Sequence, residues 1–324
     1  MKKLITLLLA FALSLTALTA CTPNDPTDTK IQFYAPSGAP ILAAIPFLNH
    51  TSIGGLAVTS EVVSGTEVVA KVTSGEANVA IMPTNTAAIA YNRGADIKLV
   101  SVNVSGILYM VGRSQITSLN DLRGKVVYNI GQGATPDAVF RYILEYNDIP
   151  YEVGSTVTDS TKVYLSYVSE GADLIGLLNL GNADYGIMGE PMVTKANTLN
   201  GISTILDLQS EWQKATGYET YPQASLVMSA KLAEDRALVD EIIDLLTQND
   251  GYIRTNTSEV ASKLTEVRAP FPVPLSSELI DRCAISTVKA TDAKASIVNY
   301  LTVLHSMNPQ FVGGKLPDDD FYYV

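Results

Sequence analysis

The stretch from Lys125 to Leu144 constrains the fold more than any other. An apolar run through Val126, Val127 and Ile130 meets a turn holding Gly131 and Gly133, and Pro136 then opens a helical segment that reaches Leu144. Glycine has no Cβ and accepts positive φ, so such a turn lets backbone amides come close to a bound group. Pro136 has no N–H to lose in a first helical turn, Thr135 can cap it, and the unpaired amides there attract negative or acceptor groups. Two readings fit: a ligand cradle, or an ordinary β–α turn with good caps. The same layout occurs about a hundred residues earlier, where Ile31 to Tyr34 reads as a strand. Ser37, Gly38 and Pro40 follow it, and a helix is expected through Phe47.

Strands and helical segments alternate along most of the chain, which argues for an α/β fold with mainly parallel sheets covered on both faces. Gly75 to Met82 and Gly181 to Met188 share the pattern Gly-x-Ala-Asn/Asp-x-small-Ile-Met, and each runs into a strand that ends at a loop. Two α/β halves of related design would explain the echo. In such folds ligands bind beyond the carboxyl ends of the strands. The candidate lining residues are therefore Ser37, Gly38 and Ala39, then Thr84 and Asn85 with Thr86, from the first half. The second half offers Gln132, Gly133, Ala134, Thr135 and Glu190. Ile107 to Val111 reads as an apolar strand leaving the first half, and Ala224 to Met228 as one returning to it. The expected divisions are 31–112 for the first lobe, 113–222 for the second, and 223–324 for the return with its C-terminal helices. Leu238, Val239, Ile242, Ile243, Leu245 and Leu246 form a helical apolar stripe, and the tail from Pro317 to Val324 reads as a surface strap.

With 324 residues, two domains are the default expectation, and 47% hydrophobic against 17% charged residues is ample for a core. A net charge of −11 argues against nucleic acid as a partner. Lys2 and Lys3 precede an almost unbroken apolar run from Leu4 to Leu18, which ends in Leu18-Thr19-Ala20-Cys21. This resembles a bacterial lipoprotein signal at 1–20 with its lipobox. The resemblance implies cleavage before Cys21, lipid on its thiol, and a polar tether over 21–30 that holds the protein on the extracytoplasmic face of the envelope. The run is short for an uncleaved transmembrane anchor. With Cys21 so used, only Cys283 remains, and its apolar surroundings read as core.

These features, with Ser118-Leu-Asn-Asp-Leu-Arg-Gly-Lys-Val-Val127 leading to Gly131-Gln-Gly-Ala-Thr-Pro136, resemble the substrate-binding proteins of ABC importers. The nearest group is that of the sulfonate, nitrate and thiamine-pyrimidine precursor binders, called SsuA/THI5-like or NMT1-like. The resemblance implies a two-lobed type II periplasmic-binding-protein fold and a monomer that closes on a small molecule and docks on a permease with its ATPase. It implies a grip by turn amides, hydroxyls and aromatic rings from both lobes. Several members of that group place tryptophans in the cleft, whereas this chain has only Trp212. Its tyrosines at 34, 109, 164, 167 and 221 are alternative ring partners.

Glu190 separates ligand classes at this stage. A carboxylate facing the cleft would repel sulfonate or nitrate unless paired, and would favour an amino group, as on an aminopyrimidine. Its other reading is a loop acid favoured by a helix N-terminus. No catalytic residue, metal site or cofactor is expected: His50 and His305 lack ligand neighbours, and no nucleophile elbow or phosphate loop is present. The remaining alternatives are a ligand-presenting receptor lipoprotein for a sensor, and an enzyme on the same fold related to pyrimidine or menaquinone biosynthesis.

Overall fold

The computed structural model describes residues 29–324, so the expected leader, Cys21 and most of the tether lie outside the described residues. Among the described residues the strands are β1 (Lys30–Ala35), β2 (Ser52–Ile53), β3 (Leu56–Val62), β4 (Val79–Pro83), β5 (Ile97–Ser105), β6 (Leu108–Gly112), β7 (Val126–Ile130), β8 (Tyr151–Val153), β9 (Val163–Val168), β10 (Tyr185–Gly189), β11 (Ser203–Asp207), β12 (Pro222–Ser229) and β13 (Ile285–Lys289). The helices are α1 (Ala39–Ala43), α2 (Ile45–Asn49), α3 (Gly65–Thr73), α4 (Thr84–Asn92), α5 (Thr135–Tyr146), α6 (Gly171–Leu180), α7 (Met192–Ala196), α8 (Leu208–Thr216), α9 (Arg236–Thr255), α10 (Thr257–Glu266), α11 (Ser277–Arg282) and α12 (Ala290–Met307).

The strands form two sheets, in the orders β13-β5-β12-β4-β1-β3-β2 and β11-β6-β10-β7-β9-β8. This is the expected two-lobed α/β architecture. In the first sheet β1 runs parallel to β3 and β4, with Phe33 opposite Val79, while β12 is antiparallel to β4. In the second β7 runs parallel to β9 and β10, with Tyr185 opposite Val127, while β6 is antiparallel to β10. The run β12-β4-β1-β3 thus matches β6-β10-β7-β9 strand for strand. The two copies of the Gly-x-Ala-Asn/Asp pattern lead into β4 and β10, which hold equivalent places. Central strands covered on both faces need continuous apolar sequence, and residues 79–82 and 185–188 supply it: all are buried.

The chain passes between the sheets after Ser105, because β6 belongs to the second sheet from Leu108 onward. The passage therefore lies upstream of the division expected at 112/113. An apolar strand such as Leu108–Val111 fits either sheet, and only its pairing with β10 (Tyr109 opposite Met188) decides the matter. Gly106 sits in the passage with the returning chain against it. A Cβ there would stand 2.8 Å from the Tyr221 ring and 2.9 Å from the Gln209 side chain. The Gly106 amide donates to the Thr220 hydroxyl (3.0 Å) and the Leu108 amide to Gln209 Oε1 (2.8 Å), which ties the two passages together.

Two other expectations change. The helix expected through Phe47 is broken into α1 and α2 at Ala44. Pro46 has no N–H to return to the Leu42 carbonyl, and the buried Asn249 side chain on α9 donates to that carbonyl instead (2.9 Å). The tail is anchored and not merely superficial: Phe321 is fully buried, and the Tyr323 amide donates to the Leu99 carbonyl (2.9 Å) beside β5. The α9 stripe is buried as expected at Leu238, Val239, Ile242, Ile243 and Leu246, with Leu245 half-buried. One apolar core lies within the first lobe and a smaller one on the outer face of the second. A third runs through both lobes, joining Met82 and Leu99 to Val127, Phe140, Trp212, Tyr221 and Tyr300. Among the described residues, no helix is long and apolar enough to cross a membrane.

Candidate functional site

The carboxyl ends of β1 and β4 face those of β7 and β10, and the turns that follow them meet in pairs. The turn after β1 places Gly38 against Pro191, the residue beyond Glu190. Gly38 has φ +90°, and a Cβ built on it would lie 3.6 Å from Pro191 Cδ. Ser37 beside it is exposed, whereas Ala39 is buried in the first-lobe core. The turn after β4 meets the turn after β7. Asn85 is fully buried, and its Oδ1 accepts from the Thr135 hydroxyl at 3.1 Å. The Asn85 amide donates to the Phe311 carbonyl at 3.4 Å, and Tyr300 on α12 donates its hydroxyl to Thr135 at 3.1 Å. Thr84 is also fully buried and pairs its hydroxyl with that of Ser225 at 2.8 Å, while Thr86 folds back on Pro83. Of the candidate residues, Asn85 and Thr135 meet across the halves and Gly38 approaches Pro191, while Thr84, Asn85 and Thr135 spend these polar groups on one another, on Ser225, Tyr300 and Phe311.

The turn at Gly131 to Thr135 has the glycine geometry the sequence implies, with φ +68° at Gly131 and +80° at Gly133. Its helix cap differs. Ala134 is the capping residue, and Thr135 is the first helical residue, with its hydroxyl turned to the first lobe. The turn's amides are largely used within the lobe: Gly131 donates to the Val168 carbonyl and Ala134 to that of Gly131, both at 3.0 Å. Gly133 donates to Asp137 Oδ2 at 2.8 Å. Asp137 is fully buried, and its Oδ1 accepts from Arg141 Nε and from the Tyr167 hydroxyl, each at 2.7 Å. Burial alone would lower the Arg141 pKa, yet the Asp137 carboxylate and Tyr167 hold it above its ordinary value. Burial and the same carboxylate push the Tyr167 phenol up. Gln132, at the tip, is exposed.

Glu190 is only 3% exposed, and it is not an isolated carboxylate. One oxygen accepts from the Thr194 amide in the first turn of α7 (3.0 Å), which is the helix-terminal role foreseen as its second reading. The other is ion-paired with Arg282 at the end of α11, in the first lobe. The guanidinium also lies 5.7 Å from the Tyr109 ring. The charge that would have repelled an anion is therefore balanced across the lobe boundary. Cys283, next in the chain, is fully buried as expected, and burial, with Glu190 nearby, pushes its thiol up to about 12.

Sequence reasoning missed Arg282, Tyr300 and Phe311, which reach the turns only through the fold. It also missed Asp137 and Arg141, whose i,i+4 spacing on α5 was a readable signal of pairing. Of the tyrosines proposed as ring partners, Tyr109 and Tyr221 stand at the lobe boundary. Tyr34 is tied to Glu76 (3.0 Å) and Tyr164 to the Thr158–Asp159 loop.

Facing lobes with strand-end turns meeting between them, joined by two passages of chain, define the architecture of two-lobed periplasmic binding proteins. Residues 54–177 match the family model described as NMT1/THI5 like, a span that contains the Ser118 to Pro136 stretch. Among solved structures, an ABC transporter protein from Parabacteroides distasonis aligns at 23% identity over 91% of this chain and 99% of its own, with a TM-score of 0.75. The periplasmic aliphatic sulphonate binding protein SsuA from Escherichia coli aligns at 15% identity over 91% and 92%, with a TM-score of 0.69. The alkanesulfonate-binding protein SsuA from Xanthomonas axonopodis pv. citri, bound to MOPS, aligns at 14% identity over 90% and 95%, with a TM-score of 0.61. Comparison with curated protein sequences finds no match. At these identities the structural likeness is one of fold.

Proposed function

We propose that this protein is an extracytoplasmic solute-binding lipoprotein, not an enzyme, that delivers a small polar nitrogen- or sulfur-containing organic molecule to an ABC importer. The observation that carries the reading is the meeting of strand-end turns from two lobes, Gly38 with Pro191 and Asn85 with Thr135, beside the paired passages at Gly106 and Tyr221. On this reading the boundary between the lobes is where a solute would be held. The transport proteins found among the structural neighbours support the same class. Because Arg282 pairs with Glu190, the condition under which the carboxylate would repel an anion is not met, and sulfonate-like and aminopyrimidine-like ligands both fit on that count. The candidate contacts are the turns at 37–39, 84–85 and 132–135 with Glu190, reached when the lobes part. Cys21 would carry the lipid that keeps the protein near its permease, raising the effective concentration there.

A ligand that binds only the folded form stabilises it by mass action, by about 2.7 kcal/mol at a hundred times its Kd. We therefore expect at least one compound from a panel of sulfonates, nitrate, aminopyrimidines and amino acids to raise the melting temperature of the mature protein in a concentration-dependent way. A flat response across the panel would remove the main support for transport. In the same study, Cys21→Ser is expected to abolish incorporation of labelled fatty acid, and retained label would refute the anchor.

A further inference from the structure

The Gly131 to Thr135 turn has the form of an anion cradle, and the cradle is full. A helix-capping acid needs one backbone amide. Asp137 instead takes three donors of different kinds: the Gly133 amide, the Arg141 guanidinium and the Tyr167 hydroxyl, all within 2.7–2.8 Å. Its side chain is 1% exposed, and that of Arg141 only 16%. Arg141 is locked further by its own bond to Tyr167 (2.7 Å) and by lying 5.3 Å from the Tyr151 ring. A buried carboxylate is tolerated only when its charge and lone pairs are met, and here they are met from within the lobe. Gly133 itself lies at the lobe boundary: a Cβ on it would come 3.7 Å from the Phe311 ring, whose residue also accepts from Asn85.

We propose that Asp137 is a built-in occupant of this cradle and a specificity-determining residue, which turns the sulfonate, carboxylate or phosphate group of a solute away from the second lobe. The inference rests on the solute-binding reading and narrows it: the solute is neutral or zwitterionic, and an anionic head group is not held by the Gly133 amide. A solute anion approaching this turn meets an amide already donated and a guanidinium already neutralised. Charge-assisted bonds to such donors are worth about twice neutral ones, so occupying them removes the largest attraction an anion would find there. Near-isosteric Asp137→Asn leaves the Arg141 charge unbalanced in a partly buried place, and Asp137→Gly also frees the Gly133 amide.

The test is calorimetric titration of the mature protein with methanesulfonate and with sulfate, against sodium chloride of matched ionic strength. The wild-type protein is expected to bind neither at a stoichiometric site. Asp137→Asn and Asp137→Gly are expected to bind them at one site per chain, on the order of tenfold or more tightly than the weakest binding the titration would detect in wild type, as the release of a charged hydrogen-bonding group implies. Stoichiometric methanesulfonate binding by the wild type overturns the proposal, as does a folded Asp137→Asn protein with no gain. Asp137→Asn and the wild-type titration together carry the test even if Asp137→Gly does not fold. Failure of the solute-binding reading would show separately, as an absence of any solute, neutral or zwitterionic, that stabilises the wild type.

Discussion

Trp212→Ala is expected to cost about 3–5 kcal/mol, the range for removing a large aromatic side chain from a packed core. The indole is fully buried. Its ring centroid lies 5.2 Å from that of Tyr221, 5.4 Å from Tyr142 and 5.9 Å from Tyr300. These partners come from the return passage, from α5 and from α12, so the cavity would open in the core that both lobes share. The three rings cannot all collapse into the space, because Tyr300 is held by Thr135 and Tyr221 by Gln209. Urea denaturation followed by far-UV circular dichroism measures the loss, since the substitution also removes the chain's one tryptophan fluorophore. A cost below about 1 kcal/mol would show that the ring cluster does not hold the lobes together.

Arg282→Ala is expected to cost about 2–4 kcal/mol. Removing one partner of a buried ion pair leaves the other charge without compensation. The Glu190 side chain is inaccessible to solvent, and its Thr194 bond satisfies one oxygen only. The Arg282 side chain is 36% exposed, which screens the pair and keeps the expected loss below that of a wholly buried one. The double variant Glu190→Gln with Arg282→Met is expected to recover most of the stability, because it removes the orphaned charge as well as its partner. A single variant within about 0.5 kcal/mol of wild type, or a double variant no better than the single, would contradict this role of the Glu190–Arg282 pair.

The backbone of this site is largely legible in the sequence, and its chemistry is not. Glycines with positive φ at 38, 131 and 133 and prolines at 36, 40, 136 and 191 mark the turns, because only those residues suit a sharp strand-to-helix change. Alternation of strand and helix then puts the turns at carboxyl ends, which is enough for the two-lobed fold. The passage between lobes is displaced because Leu108 to Val111 is equally apolar toward either sheet. The tail is the expected surface strap at 318–320 and 324, but its anchoring is hidden, because the partners of Phe321 and Tyr323, Tyr91 on α4 and Leu99 on β5, are distant in sequence. The partner of Glu190 is hidden for a similar reason: Arg282 reaches it through α11, with no periodic signal linking the two. Asp137 differs, since its pairing with Arg141 follows from helical spacing, and the filled cradle follows from that pairing.

Native mass spectrometry of the mature protein, purified gently from its own host, tests the central claim most directly. The account predicts one small molecule bound per chain, lost on denaturation, neutral or zwitterionic, and able to restore the melting temperature when added back. A protein that carries no small molecule, and that no candidate solute stabilises, would contradict the claim that these two lobes close on a solute.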